Sequence, residues 1–219
     1  FNKYCTEFHV TTMRNLYKRI VPLSEINMIK TLCYLLEGLL AKQAAEKRAR
    51  LRADEKLDPI VEKEIFDAHF VFAVIWAFGG AILADKKDSP TLRERFSDWW
   101  KATHQSSVKF PKEGTVFDYY PHPKTGKMTP WSSVVPPFEP PDDYLSKVVV
   151  PTADSVRTNY LMDLLVPRQR PVLFVGTAGT GKTTLAIDYL RALGDKGEYS
   201  FHTINLNYYT DAKALQRIM

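Results

Sequence analysis

Residues 176–183 read Gly-Thr-Ala-Gly-Thr-Gly-Lys-Thr, the G-x-x-x-x-G-K-S/T pattern that cradles phosphates. A polyphosphate must be wrapped by backbone N–H groups, which requires the chain to come closer than a Cβ allows. Gly176, Gly179 and Gly181 remove that obstacle and permit positive φ, while Thr177, Ala178 and Thr180 supply the amides between them. Lys182 carries a compact charge suited to β- and γ-phosphates. The Thr183 hydroxyl has the chemistry of a Mg²⁺ ligand, and Thr184 completes the first turn beyond it. A helix is predicted to start at about Gly181, turning its positive end towards the phosphates. The residue types together point to binding of a nucleoside triphosphate.

The flanks have the form such a loop needs. Pro171–Val175 is a short apolar run that reads as a buried parallel strand. Thr183–Leu193 has helical spacing of apolar residues, and Gly194 offers a stop. Ser200–Leu206 reads as a second strand, on which His202 alternates with apolar neighbours as a sheet-face residue. A further helix is expected from Thr210, with Thr210 or Asp211 as its cap. Asp154–Leu165 reads as a helix preceding the first strand.

The first half of the chain is different in character. Ile26, Ile29, Leu32, Cys33, Leu36, Leu39 and Leu40 recur at three- and four-residue steps, predicting a helix with one apolar face and Ser24 as N-cap. Residues 41–58 interleave acidic and basic side chains and read as a solvated helix with internal ion pairs. Pro59–Ala84 predicts another helix. Its apolar run, Phe70–Ala84, is shorter than the about 20 residues that cross a bilayer and contains Gly79-Gly80, so a core helix that bends or ends there is expected. A fourth helix spans Thr91–Thr103, with Phe96, Trp99 and Trp100 facing a core. From Phe110 the chain is rich in proline and aromatic residues. Thr115–Tyr120 predicts a strand, Lys124–Lys127 a turn, and the pair a hairpin returning towards Trp131. The aromatics need burial, so this segment is expected to pack rather than to swing as a tether.

The chain has 219 residues, 45% of them hydrophobic, and a formal net charge of +5. That charge is modest and forms no single patch, so neither a nucleic-acid nor a membrane partner is expected. Cys5 and Cys33 provide no disulfide framework and read as small buried hydrophobes. There is no signal-peptide pattern. No group of His, Cys and carboxylates has metal-site spacing, and no Ser/His/Asp arrangement stands out.

Several stretches resemble axonemal dynein heavy chains. They are PLSEINMIKTLCYLLEGLL (22–40), FVFAVIWAFGGAIL (70–83) with FSDWW (96–100), FPKEGTVFDYY (110–120) with PW (130–131), VPTADSVRTNYL (150–161) leading into PVLFVGTAGTGKTTL (171–185), and TINLNYYTDAKALQ (203–216). The resemblance implies the junction of the second and third AAA+ modules of a motor ring. Residues 1–110 would be a helical small subdomain, 111–147 a linker with the hairpin, and 148–219 the opening of a P-loop αβα large subdomain. The implied fold class is α plus α/β. The implied cofactors are ATP or ADP with Mg²⁺, the phosphates and metal being held by Gly176–Thr183, with Val150, Pro151 and Thr152 near the adenine. The third module's site would be regulatory, transmitting nucleotide state around the ring of an ATP-driven microtubule motor of cilia and flagella.

Implied partners are neighbouring modules of the same heavy chain and, through regions outside residues 1–219, intermediate and light chains and microtubules. The location implied is the cytoplasm and the axonemal cytoskeleton. Residues 184–219 hold no acidic Walker B pair, sensor or arginine finger, so there are no catalytic residues to assign. This stretch by itself is expected neither to fold its α/β half nor to turn over ATP. Two other readings fit the residues: a different P-loop regulatory NTPase with a helical N-terminal domain, and a structural module that holds ADP without hydrolysing it.

Overall fold

The computed structural model describes residues 16–54, 57–83, 90–104, 108–138, 149–197 and 199–218. Cys5, Val148 and linker residues 139–147 lie outside the described residues. The chain divides into two compact units at Thr180/Gly181.

In the first unit, helix α1 spans Glu25–Arg52. Ser24 starts it, its extended backbone letting Oγ accept from the Asn27 N–H at 3.3 Å. The charged stretch continues this same helix to Arg52. Its ion pairs run both within α1, Arg50 to Glu46 at 3.4 Å, and across to the next helix, Lys47 to Glu62. The apolar face lies elsewhere than the spacing suggested. Met28, Leu32, Leu35 and Leu39 are buried, whereas Ile26 and Leu40 are exposed and so is Cys33. The predicted face is thus rotated: the side that meets the neighbouring helices is the one that is buried, and it takes in Met28 and Leu35 in place of Ile26, Cys33 and Leu40.

Helix α2, Pro59–Gly79, opens on Asp58, whose carboxylate accepts from the Ile60 N–H at 2.8 Å, with Pro59 in the first turn. From Ala68 onward it is buried almost all round, as befits a helix at the centre of a core. It ends at the glycines, as expected, and Gly79 has a packing reason to be there. A Cβ on it would lie 2.7 Å from Phe117 Cζ and 2.8 Å from Phe96 Cε1. No described helix is long and apolar enough to cross a membrane. Helix α3, Leu92–Thr103, begins with a capping box formed by Thr91 and Glu94 and buries Phe96 and Trp100.

The proline-rich stretch does pack. Strands β1, Tyr119–Pro121, and β2, Met128–Pro130, form the expected hairpin, antiparallel with Tyr120 opposite Thr129. A 3₁₀ turn over Val116–Asp118 replaces the start of the predicted strand. Gly126, at φ +67°, lets the turn approach the α2 backbone, where a Cβ would sit 2.8 Å from the Glu64 carbonyl. The segment is pinned by buried hydrogen bonds: the Val116 N–H donates to Ser97 Oγ at 3.0 Å, and the Trp131 indole donates to the Phe117 carbonyl at 3.1 Å. Phe72, Trp76, Phe96, Phe117, Tyr120 and Trp131 make a continuous series of ring contacts.

Helix α4, Ala153–Leu165, packs on α1 and on the 3₁₀ turn at Trp131–Val134. It belongs to the same compact unit as α1–α3. Gly38 makes the α1–α4 approach possible, since a Cβ there would lie 2.6 Å from the Leu164 carbonyl oxygen.

The second unit contains α5, Lys182–Gly194, and α6, Ala212–Ile218. Among the described residues it buries Tyr189 and Leu193. Gly197, at φ +74°, closes the turn after α5, its N–H donating to the Gly194 carbonyl at 2.8 Å, and Asp211 caps α6 through the Ala214 N–H at 2.7 Å.

The two expected strands of the P-loop half are corrected by the structure. Residues 171–176 and 200–206 carry no ladder, and the only described sheet is the β1–β2 pair. Leu173 is 77% exposed rather than buried. A strand exists through its neighbour's N–H and C=O groups, and neither run has such a neighbour among the described residues. The described chain is therefore helical with one two-stranded sheet.

Candidate functional site

The loop at 176–183 contains the boundary between the two units, at Thr180/Gly181. In the first, the Thr180 hydroxyl donates to the Thr177 carbonyl at 3.0 Å, tightening the turn, and Gly179 has φ +78°. In the second, Gly181 also has φ +78° and forms the N-cap of α5, its carbonyl accepting from the Leu185 N–H at 2.9 Å. Nothing lies within 4 Å of a Cβ built on Gly179 or Gly181. Glycine is thus demanded by the left-handed backbone and not by a neighbouring protein atom. Gly176 is not among the positive-φ residues.

Helix α5 starts at Lys182, as the sequence predicts to within a residue. A glycine cap brings no side-chain oxygen to the first-turn N–H groups, which have no intrahelical acceptor. That leaves the positive end of the helix without a capping side chain of its own. Lys182 is half-buried; Thr177, Ala178, Thr183 and Thr184 are exposed. Within the second unit, the left-handed Gly181, the helix N-terminus it opens and the adjoining Lys182 ammonium suit an anionic group with several oxygens. Among the described residues, no group of three or more His, Cys, Asp or Glu side chains is arranged for a metal. A divalent ion here would depend on the Thr183 hydroxyl and the anion's own oxygens.

Val150 is exposed and Pro151 half-buried. Thr152 has a local role that sequence reasoning missed: it caps α4. Its Oγ1 accepts from the Ser155 N–H at 3.1 Å, and Ser155 Oγ accepts from the Thr152 N–H at 2.8 Å. The Thr-x-x-Ser spacing was the available signal.

A family model described as dynein heavy chain AAA lid domain matches residues 1–133. A second, described as P-loop containing dynein motor region, matches residues 138–219. The chain belongs to the dynein heavy chain family. It is 41% identical over 220 residues to "Dynein axonemal heavy chain 9" of Homo sapiens. It is 40% identical over 220 residues to "Dynein beta chain, ciliary" of Heliocidaris crassispina, and 37% identical over 220 residues to "Dynein beta chain, flagellar outer arm" of Chlamydomonas reinhardtii. Each similarity covers 100% of this chain and 4% of the relative. In this dynein chain the glycine loop falls inside the stretch matched as P-loop motor region, and the α1–α3 unit inside the stretch matched as lid.

Proposed function

We propose that residues 176–183 bind ATP or ADP with Mg²⁺ in one AAA+ module of an axonemal dynein heavy chain. The observation that carries this reading is the pair of left-handed glycines, Gly179 and Gly181, leading directly into the Lys182 helix. Backbone amides of Thr177–Gly181 hold the phosphates, Lys182 neutralises their charge, and Thr183 together with a phosphate holds the metal. Thr184 lies in the first helical turn beyond it. Val150, Pro151 and Thr152 line the adenine side. Bound Mg²⁺ draws charge from the phosphate oxygens.

Within this reading, residues 1–110 are the small subdomain of one module, 111–147 the linker, and 148–219 the opening of the next module's large subdomain. The parent protein is an ATP-driven microtubule motor of the ciliary or flagellar axoneme, and this site regulates it by passing nucleotide state to neighbouring modules. Hydrolysis would need a metal-binding Asp and a water-orienting carboxylate in addition to residues 176–183. The alternative, permanent retention of ADP, is favoured by no observation here.

The test is hydrogen exchange on the full-length heavy chain. ADP with Mg²⁺ is expected to protect the backbone amides of residues 176–190 in the native protein, and Lys182→Ala to abolish that protection. Equal exchange with and without ADP in the native protein overturns the reading.

A further inference from the structure

We infer that Arg170 is a positioning residue for the glycine loop, held by one turn of α1 formed by Tyr34, Glu37 and Gly38. The inference rests on the nucleotide-binding reading of that loop and adds to it a means by which the helical unit influences the site.

Arg170 stands six positions before Gly176, at the head of the apolar run that leads into the loop. Its guanidinium donates to Glu37 Oε2 at 2.9 Å and lies 4.3 Å from the centre of the Tyr34 ring. The Glu37 hydrogen bond holds the guanidinium's pKa above its ordinary value. The backbone is tied as well: the Arg170 N–H donates to the Leu165 carbonyl at 3.1 Å, and Gln169 turns the chain at φ +56°. Arg170 is therefore fixed both to the end of α4 and to the face of α1.

The neighbouring contacts act at the same place. Gly38, next to Glu37, lets α4 approach until its Leu164 carbonyl would touch any Cβ, and Leu164 is fully buried. One turn further along α1, Lys42 pairs with Asp163 at 3.8 Å and sits 4.4 Å from the centre of the Tyr160 ring. The Tyr160 ring in turn meets Phe72 and Trp131 at 5.8 and 5.2 Å. Burial pushes the Tyr160 hydroxyl's pKa up, so it stays neutral among these rings. Three consecutive features of α1 thus set where α4 ends and where the lead-in to the loop begins. A change in spacing at this seat moves the start of a short tether to the glycines. By linkage, whatever the seat does to nucleotide affinity, bound nucleotide does to the seat.

The experiment again uses the full-length heavy chain and the ADP concentration that half-protects the 176–190 amides. Glu37→Arg and Arg170→Glu are each expected to raise that concentration about threefold, the scale of one partly exposed charged contact. The double variant restores the opposite charges and is expected to fall between the single variants and the native protein. Gly38→Leu forces α4 away from α1 and is expected to raise the concentration about tenfold or more. Exchange of the α2 amides, unchanged throughout, reports that the helical unit is folded. The inference is overturned if Glu37→Arg, Arg170→Glu and Gly38→Leu all keep the native half-protecting concentration. It is equally overturned if the double variant is worse than either single one. Lys182→Ala separates the two claims: if it leaves protection intact, the nucleotide reading itself is wrong.

Discussion

His69 lies on α2 with 4% of its surface exposed, and its Nδ1 has no hydrogen-bond partner. Burial lowers its pKa from 6.5 to about 4, because a charged ring would have to shed its water. Above pH 6.5 the ring is neutral in both folded and unfolded chains. Between 6.5 and 4 the unfolded chain takes up a proton that the folded chain refuses, so stability falls as pH falls through that window. The loss is on the order of 2–3 kcal/mol once pH reaches 4. Thermal melts of the native chain and of His69→Leu, at pH 7 and pH 4.5, should show the native melting temperature dropping further. Parallel drops would mean that His69 does not titrate in this way. At this scale the glycine loop was legible, since its pattern is contiguous and its demands are local. The need for glycine at 38 and 79 was not, because it is set by Leu164, Phe96 and Phe117, which only folding brings near.

At the scale of elements, helices were readable where local chemistry decides them. Ser24, Asp58 and Thr91 each cap through their own side chains, and α5 begins within a residue of the expected start. Strands were not, since a ladder depends on a neighbour distant in sequence. The hairpin succeeded because its partner strand is a turn away, and the runs at 171–175 and 200–206 carry no ladder for want of one. Periodicity placed Ile26, Cys33 and Leu40 on the covered face of α1, and the structure exposes them, because the neighbouring helices decide which side is covered.

Thr152 belongs to this scale because it decides where α4 starts. Replacing it by Ala removes an acceptor for the Ser155 N–H and is expected to cost about 1 kcal/mol in urea denaturation, while Thr152→Ser should cost much less. If Thr152→Ala and Thr152→Ser destabilise equally, the hydroxyl is not the stabilising group and the methyl packing is.

Across the whole molecule, burial is distributed unevenly. Among the described residues, the side chains of the main core cluster all come from residues 17–164. Two described side chains of the second unit are buried, Tyr189 and Leu193, and its Tyr208 and Tyr209 are 96% and 86% exposed. Its backbone hydrogen bonds are largely those of two helices, one of seven residues, and such short helices draw most of their stability from packing. Opening of residues 181–218 therefore gives up little buried apolar surface, while opening of α1 or α2 breaks the aromatic core. Hydrogen exchange on the 219-residue chain should show α5 and α6 amides exchanging at least about a hundredfold faster than those of α2 between Ala68 and Phe78. Comparable protection in both sets would show that the second unit has stabilising contacts equal to the core's. The predicted contrast has a functional meaning if the loop binds nucleotide. Gly181 and Lys182 sit at the edge of the less stable unit, so a ligand that fixes the first turn of α5 would protect amides that otherwise exchange freely, and its binding would be read most clearly there.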